Sequence, residues 1–344
     1  MRCPTLAELP PPPPGKTGWP WTVESPQLPD TMPDGHPWPK ISIVTPNYNY
    51  GQFIEETIRS VLLQGYSNIE YIIIDGVSTD NSIEIIKKYE KYLAYWVSEP
   101  DNGQTDALNK GYQHCNGEIF AWINSDDAYA TPFCFQNVSE SYKRGYEFIV
   151  GRHQHIDLTP NGINIEAFNR QSRTVTFEQY LKFWEYQSIH QPTVFAAKLF
   201  TDKCFPLDPT LYYLMDYQLF LRILSQKPKS TWINQNWITS YVHGRNKTLK
   251  SDPRGLVEIY QVALAESKRL PYIHRKFFTI DLKDNISLKF LLNREKFPTL
   301  WEVIALLMRR PTIIRLKLFW KIFLKSLIGQ SLYSSIKIFL CGSR

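Results

Sequence analysis

The stretch that most restricts this chain is Ile119-Phe120-Ala121-Trp122-Ile123-Asn124-Ser125-Asp126-Asp127. A short apolar run of this kind predicts a buried strand, and here it stops on two neighbouring carboxylates. Adjacent residues on a strand point to opposite faces, so Asp126 and Asp127 converge only if the chain has already turned. In open α/β sheets, ligands lie outside the carboxyl ends of the strands. A carboxylate pair at that place suits a hard divalent cation that also touches phosphate oxygens. The other reading is an Asx-turn that merely closes the strand, and the run alone leaves both open.

The rest of the chain supplies a frame for that turn. Ile41–Thr45 predicts a short strand, Pro46–Gly51 a loop, and Phe53–Gln64 a helix with apolar residues at helical spacing. Ile69–Asp75 is a continuous apolar strand of the type buried on both faces of a parallel sheet. A turn follows, with Asp80 as N-cap for a helix over Ser82–Tyr92. A third strand, Ala94–Ser98, and a helix over Thr105–Gln113 lead into the Asp-Asp strand. Strand and helix alternate with short loops, so the first half predicts a parallel, doubly wound sheet. Further on, Phe148–Gly151 and Thr193–Ala196 predict strands, Leu211–Ser225 a helix, and Trp232–His243 a mixture of strand and loop. No Gly-x-Gly-x-x-Gly follows the first strand, which removes the main ground for a dinucleotide cofactor.

Composition matters at the two ends. Residues 1–40 hold 12 of the 24 prolines, including the run Pro10–Pro14, so residues 1–39 are expected to form an extended arm, partly polyproline. The net charge of +6 belongs to the other end: from Val303 to Arg344 there are eight Lys or Arg and no Asp or Glu. The body is nearly neutral, which argues against a nucleic-acid partner. Five scattered cysteines without a Cys-x-x-Cys pair argue against a disulfide framework and a zinc site, and for a reducing compartment. With neither a signal pattern nor an 18-residue apolar window, a cytoplasmic location is expected.

The order of motifs resembles glycosyltransferase family 2, the inverting enzymes of the GT-A type. The resemblance rests on Val44-Thr45-Pro46-Asn47-Tyr48-Asn49, Ile74–Asp80, Ser98–Gly111 and Asn124-Ser125-Asp126-Asp127. It continues in His190-Gln191-Pro192, Asp216–Arg222 and His243-Gly244-Arg245-Asn246-Lys247-Thr248, so it covers roughly residues 41–250. It implies a Rossmann-like, mostly parallel sheet flanked by helices, acting on a nucleotide-sugar donor. The implied domains are the arm over 1–39, a catalytic domain over 40–250 and a helical region over 251–344. Within the catalytic domain, 40–128 would bind nucleotide and 129–250 acceptor.

The same resemblance implies roles. Asp75 would accept a hydrogen bond from the imide of a uracil or thymine base, and Thr45, Pro46 and Asn49 would line the base pocket. Asp101, Gln104, Asp106 and Asn109 would lie on the donor side. Asp126 would face the ribose or the metal, while Asp127 and His243 would hold Mg²⁺ or Mn²⁺ on the diphosphate, with Lys247 nearby. Tyr241 stands where the family usually has an arginine, and Met215 where it often has an acid. Asp216 would be the general base that an inverting transfer needs on the acceptor side. Gln191 would face the acceptor or the donor sugar.

The implied activity is transfer of a sugar, from UDP first of all, to a glycan or lipid-linked glycan of a surface polysaccharide. A silent sugar-nucleotide or glycan-binding protein on the same scaffold is the rival, disfavoured because a binding module needs no base. A two-metal phosphohydrolase lacks its second His/Asp cluster. In the tail, Lys317, Lys321 and Lys325 form one stripe beside Leu318, Phe319, Trp320, Ile322 and Phe323. That is the composition of a helix lying on an anionic membrane surface, or of a hairpin packed on protein with its lysines in water.

Overall fold

The computed structural model describes residues 1–159, 176–182, 189–247, 252–292 and 298–328. It divides into two compact units, one of residues 1–180 and 186–246 and another of residues 181–185 and 247–344.

The first unit is built on an eight-stranded sheet. Its elements are β1 (Ile41–Asn47), α1 (Ile54–Leu62), β2 (Ile69–Asp75), α2 (Ser82–Tyr89), β3 (Tyr95–Ser98), α3 (Gln104–Tyr112) and β4 (Ile119–Trp122). There follow β5 (Asp127–Tyr129), α4 (Cys134–Lys143), β6 (Phe148–Asp157), α5 (Phe177–Leu181), β7 (Val194–Ala197), α6 (Lys198–Thr201), α7 (Met215–Leu224) and β8 (Ser230–Val242). The strand order is β3-β2-β1-β4-β7-β6-β8-β5. The first four strands run parallel, and all seven residues of β1 are buried, as expected of a central strand covered on both faces. From β1 the chain winds outward to β2 and β3, then returns to place β4 on the other side of β1. That reversal opens a crevice at the carboxyl ends of β1 and β4, where such folds bind ligands.

Two segments differ from the sequence expectation for physical reasons. Trp232–Val242 belongs to one 13-residue strand, β8, whose pairing with β6 shifts register around Arg152, and His243 follows its end. A bulge of this kind breaks the period-two pattern that would have announced the strand. Helix α7 starts at Met215 rather than Leu211, because Thr105 Oγ1 donates to the Leu211 carbonyl (2.7 Å) and the Asp208 carboxylate turns the chain at Thr210.

The proline-rich segment packs within this unit. Cys3, Trp21 and Trp38 are buried, and the Cys3 N–H donates to the Tyr66 carbonyl. Its strongest tie is Arg59 on α1, which is wholly buried. The guanidinium donates to the carbonyls of Pro10 (2.8 Å), Pro20 (3.0 Å) and Trp21 (2.9 Å), and to the Tyr89 hydroxyl, which donates in turn to Glu55. Prolines have no N–H, so their carbonyls lack the usual ladder partners, and five fixed donors suit them. The four described cysteines form no disulfide and are buried.

The second unit comprises α8 (Pro253–Glu266), α9 (Tyr272–Leu292), α10 (Leu300–Arg309) and α11 (Lys317–Ile328). Pro311 marks the expected break and opens a short 3₁₀ turn. Leu288 and Leu291 of α9 form a core with Val303, Ile313, Phe319 and Ile322. Part of the basic character is neutralised inside the unit: Arg310 lies 2.8 Å from buried Asp284, and Arg315 lies 2.5 Å from Asp281. Helix α11 therefore buries Phe319 and Ile322 and exposes Trp320, Leu324 and Leu327. The expected helix over Ser331–Leu340 lies outside the described residues.

Replacing Arg59 with Leu strips three buried carbonyls of their donor, each such orphan costing about 1–3 kcal/mol. The expected result is a loss of at least about 2 kcal/mol in denaturant unfolding, with faster proteolysis within residues 10–21. An unchanged midpoint would show that the segment is held by its apolar contacts instead.

Candidate functional site

The chain turns between β4 and β5, and the turn is what lets both carboxylates serve one place. The Asp127 N–H donates to the Asn124 carbonyl (3.1 Å), while Thr57 on α1 donates its hydroxyl to the carbonyls of Ser125 (2.9 Å) and Asp127 (2.7 Å). Ser125 Oγ donates to the Pro46 carbonyl (2.8 Å), fastening the turn to the end of β1.

The Asn124 side chain joins four neighbours. Its Oδ1 accepts from Gln104 Nε2 (2.8 Å) and Trp122 Nε1 (2.9 Å), and its Nδ2 donates to Asp127 Oδ2 and Gln191 Oε1, both at 3.2 Å. Gln191 donates to the Trp122 carbonyl at 2.7 Å. Gln104 and Gln191, expected at the donor and acceptor, are thus brought to the carboxylates through Asn124. Sequence reasoning assigned Asn124 no role, although it lies in the same tetrapeptide.

Asp127 is buried and also bonds to Ser240 of β8. Burial, and then the charge of Asp126, push its carboxyl well above the ordinary range. Asp126 is more open, and its Oδ2 accepts from His243 Nε2 (3.2 Å) and Asn246 Nδ2 (3.1 Å). His243 Nδ1 accepts from the Arg245 N–H (3.1 Å), and the ring stacks on Phe53 at 4.7 Å. In a neutral imidazole this leaves the proton on Nε2, directed at Asp126. His243 here orients Asp126; it becomes a metal ligand through Nε2 only by giving up that proton.

The residues expected around a nucleobase stand at the ends of β1 and β2. Asp75 is fully buried and accepts from Asn47 Nδ2 (2.7 Å), the Ser78 N–H (2.9 Å), the Ser78 hydroxyl and the Ser98 hydroxyl (2.6 Å). Four donors fill its lone pairs, so a base imide has to replace one of them. Thr45 is buried against the Tyr71 hydroxyl (3.1 Å), and Asn49, with φ +56°, caps the turn at Thr79 through its Oδ1 (2.8 Å). Asp101 is half-buried with its carboxyl pushed up by that burial, and it lies against Gly76, where a Cβ would come within 2.5 Å of its Oδ2.

Arg245 fills a gap that the sequence left. The side chain of Tyr241, in the place of the usual arginine, bonds to Glu56, whereas exposed Arg245 reaches the Asn49 carbonyl (3.1 Å). Burial, then Asp126, raises the Tyr50 hydroxyl, with Arg245, Asp127 and Tyr212 also acting on it, which places these groups in one neighbourhood. Arg245 stood in a recognised motif, but nothing in its spacing singled it out.

Asp216, the expected general base, sits in the first turn of α7, half-buried, with the Tyr217 N–H donating to its Oδ1 (2.7 Å). Asn109 exchanges both ends of its amide with the Leu207 backbone (3.0 and 2.7 Å). With Thr105, which donates to the Leu211 carbonyl, it holds the segment leading to Asp216. Lys247 begins the second unit, and Thr248 lies outside the described residues.

The residues fit a divalent cation: both carboxylates are hard oxygen donors, Asp126 is near enough to raise the buried Asp127 carboxyl, and a cation would favour the ionised form that burial opposes.

Comparisons with known proteins agree with this geometry. Residues 42–197 match the family model described as glycosyl transferase family 2. An uncharacterized glycosyltransferase of Nostoc sp. is 26% identical over 62% of this chain and 67% of its own length. The putative teichuronic acid biosynthesis glycosyltransferase TuaG of Bacillus subtilis is 28% identical over 42% of this chain and 58% of its own length. Among solved structures, S. aureus TarS 1-349 in complex with UDP-GlcNAc superposes with TM-score 0.57, at 15% identity over 71% of this chain and 72% of that one. Mannosyltransferase PcManGT from Pyrobaculum calidifontis, in complex with GDP-Man and Mn²⁺, superposes with TM-score 0.53, at 16% identity over 87% and 90%. At these identities the structures show the fold, which is the expected GT-A type.

Asp127→Asn tests the charge balance. The Asp127 carboxyl titrates higher in the folded than in the unfolded chain, so its ionisation removes stability as pH rises above about 4. At pH 7.5, without divalent metal, the variant should melt about 2–4 °C higher, equivalent to about 1 kcal/mol. Mn²⁺ should raise the melting temperature of the natural protein and not of the variant; a lower-melting variant with an intact Mn²⁺ shift would contradict this.

Proposed function

We propose that this chain, which carries a glycosyl transferase family 2 domain over residues 42–197, transfers a sugar with inversion from a nucleoside-diphosphate sugar, UDP before others, to a hydroxyl of a glycan or lipid-linked glycan in surface polysaccharide assembly. The observation that carries this reading is the Asp126–Asp127 pair, turned into the switch-point crevice and braced by Asn124. UDP-GlcNAc in TarS, and the biosynthetic name of TuaG, support the donor class and the pathway type. Mn²⁺ in PcManGT supports the cation.

The nucleobase would lie over the ends of β1 and β2, among Thr45, Pro46 and Asn49, with Asp75 exchanging one internal donor for the base imide. Asp101 and Gln104 border the donor sugar. Mg²⁺ or Mn²⁺ at Asp127, with Asp126 and His243 beside it, would neutralise charge on the diphosphate leaving group. Arg245 is the cation that would steady the diphosphate in place of the missing arginine at Tyr241, with Lys247 as a second candidate. Asp216 takes the proton from the acceptor hydroxyl as its oxygen bonds to the anomeric carbon and the bond from that carbon to the diphosphate oxygen breaks. Gln191, held by Asn124, lies between the donor and acceptor sides.

The setting we propose is the inner face of the plasma membrane. Among the described residues no helix is long and apolar enough to cross a membrane. The second unit does expose Trp301 (78%), Met308 (81%), Trp320 and Leu327, side chains suited to an anionic lipid surface.

Asp216→Asn should lower kcat about 10²–10⁴-fold and leave the donor dissociation constant unchanged. Arg245→Ala should do the reverse, weakening donor binding about tenfold, in line with about 1.5 kcal/mol for a charged hydrogen bond. Intact turnover in Asp216→Asn with weakened donor binding would remove Asp216 from the base role. Undetectable transfer in the natural protein, with donor binding intact, would favour the silent binding protein.

A further inference from the structure

A second cluster of ligating side chains lies one strand away from the carboxylates. Ser240 of β8 is in register with Asp127 on one side and with His155 of β6 on the other. His153 and His155 are two apart on β6 and so share a face of the sheet. His190, in the segment leading to β7, comes to the same place. Its ring stacks on His153 with centroids 3.8 Å apart and stands edge-on to His155 at 5.0 Å. One ring nitrogen from each of the three lies within 4.8 Å of the others.

We propose that His153, His155 and His190 form a binding site for a transition-metal ion of the Zn²⁺ class, separate from the carboxylate site. Three imidazoles with a fourth position left to water are a recurrent zinc donor set. Imidazole selects Zn²⁺, Ni²⁺ or Cu²⁺, whereas carboxylates and water suit Mg²⁺ and Mn²⁺, so the two clusters would sort metals by ligand type. His153 is buried and the other two are half-buried. Burial holds His155 and His190 toward the neutral form that binds metal, and the two neighbouring rings add to this at His190. His190 Nε2 lies 3.2 Å from Ser240 Oγ. An outer hydrogen bond of that kind fixes a ring and leaves its other nitrogen for the ion. A tetrahedral ion with Zn–N of about 2.0–2.1 Å needs nitrogens about 3.4 Å apart, so binding requires the stacked His153 and His190 rings to open until both lone pairs face one point.

The test uses the metal alone on the full chain, and it does not depend on sugar transfer. Chelator-stripped protein is titrated with Co²⁺, whose visible absorption reports tetrahedral nitrogen ligation, and Zn²⁺ is then added in competition. The expected result is a one-equivalent spectrum in the natural protein and in Asp127→Asn, lost in His155→Gln and displaced by Zn²⁺. His190→Asn, outside the strand, must lose it too, and serves if His155→Gln fails to fold. No spectrum in the natural protein, or a spectrum kept in the histidine variants and lost in Asp127→Asn, overturns the proposal.

Discussion

Two carboxylates adjacent in sequence repel each other, and on a regular strand they would face opposite sides of the sheet. The turn from Asn124 to Asp127 removes the second obstacle with neutral hydrogen bonds. Thr57 clamps two carbonyls of the turn, Ser125 ties it to β1, and the Asn124 amide reaches the buried carboxylate itself. Neither Thr57 nor Asn124 carries charge, so the repulsion between the carboxylates is left in place for a cation to relieve. The raised carboxyl of Asp127 is thus a property of the site, held there by the stability of the surrounding sheet.

The sheet can hold it because the unit is stabilised elsewhere. All seven residues of β1 are buried, and the helix that contributes Thr57 also contributes Arg59. One helix, α1, therefore braces the carboxylate turn with one residue and gathers the proline-rich segment with another. The neighbouring strand β8 contributes Ser240, which touches Asp127 and His190 and so stands between the carboxylate and histidine clusters.

Much of this was legible in the sequence where local pattern and tertiary role coincide. The apolar runs of β1, β2 and β4 and the short loops between them determine a parallel sheet, and the Asp-Asp ending marks its functional edge. What was not legible depends on partners distant in the chain. The bulged pairing of β6 with β8 erases the alternation that identifies a strand. The bond between His243 and Asp126 spans 117 residues, a pairing that no local pattern announces. Asn109 matched a motif, and its amide is engaged with the Leu207 backbone. The histidine cluster combines residues from two segments whose spacing, 153, 155 and 190, follows no metal-binding pattern. In the tail, the basic excess that suggested a lipid-facing surface is partly matched by Asp281 and Asp284 of α9, outside the segment without acids.

The central claim is that the Asn124-braced turn is a cation-dependent donor site. The most direct measurement is calorimetric titration of the full chain with UDP, GDP and dTDP, with and without Mn²⁺, in the natural protein and in Asn124→Ala. The account predicts Mn²⁺-dependent binding of one nucleotide class, weakened at least about tenfold in Asn124→Ala, for a bond worth about 1.5 kcal/mol to a charged group. Binding that needs no cation, or that survives Asn124→Ala undiminished, would place the donor somewhere other than this turn.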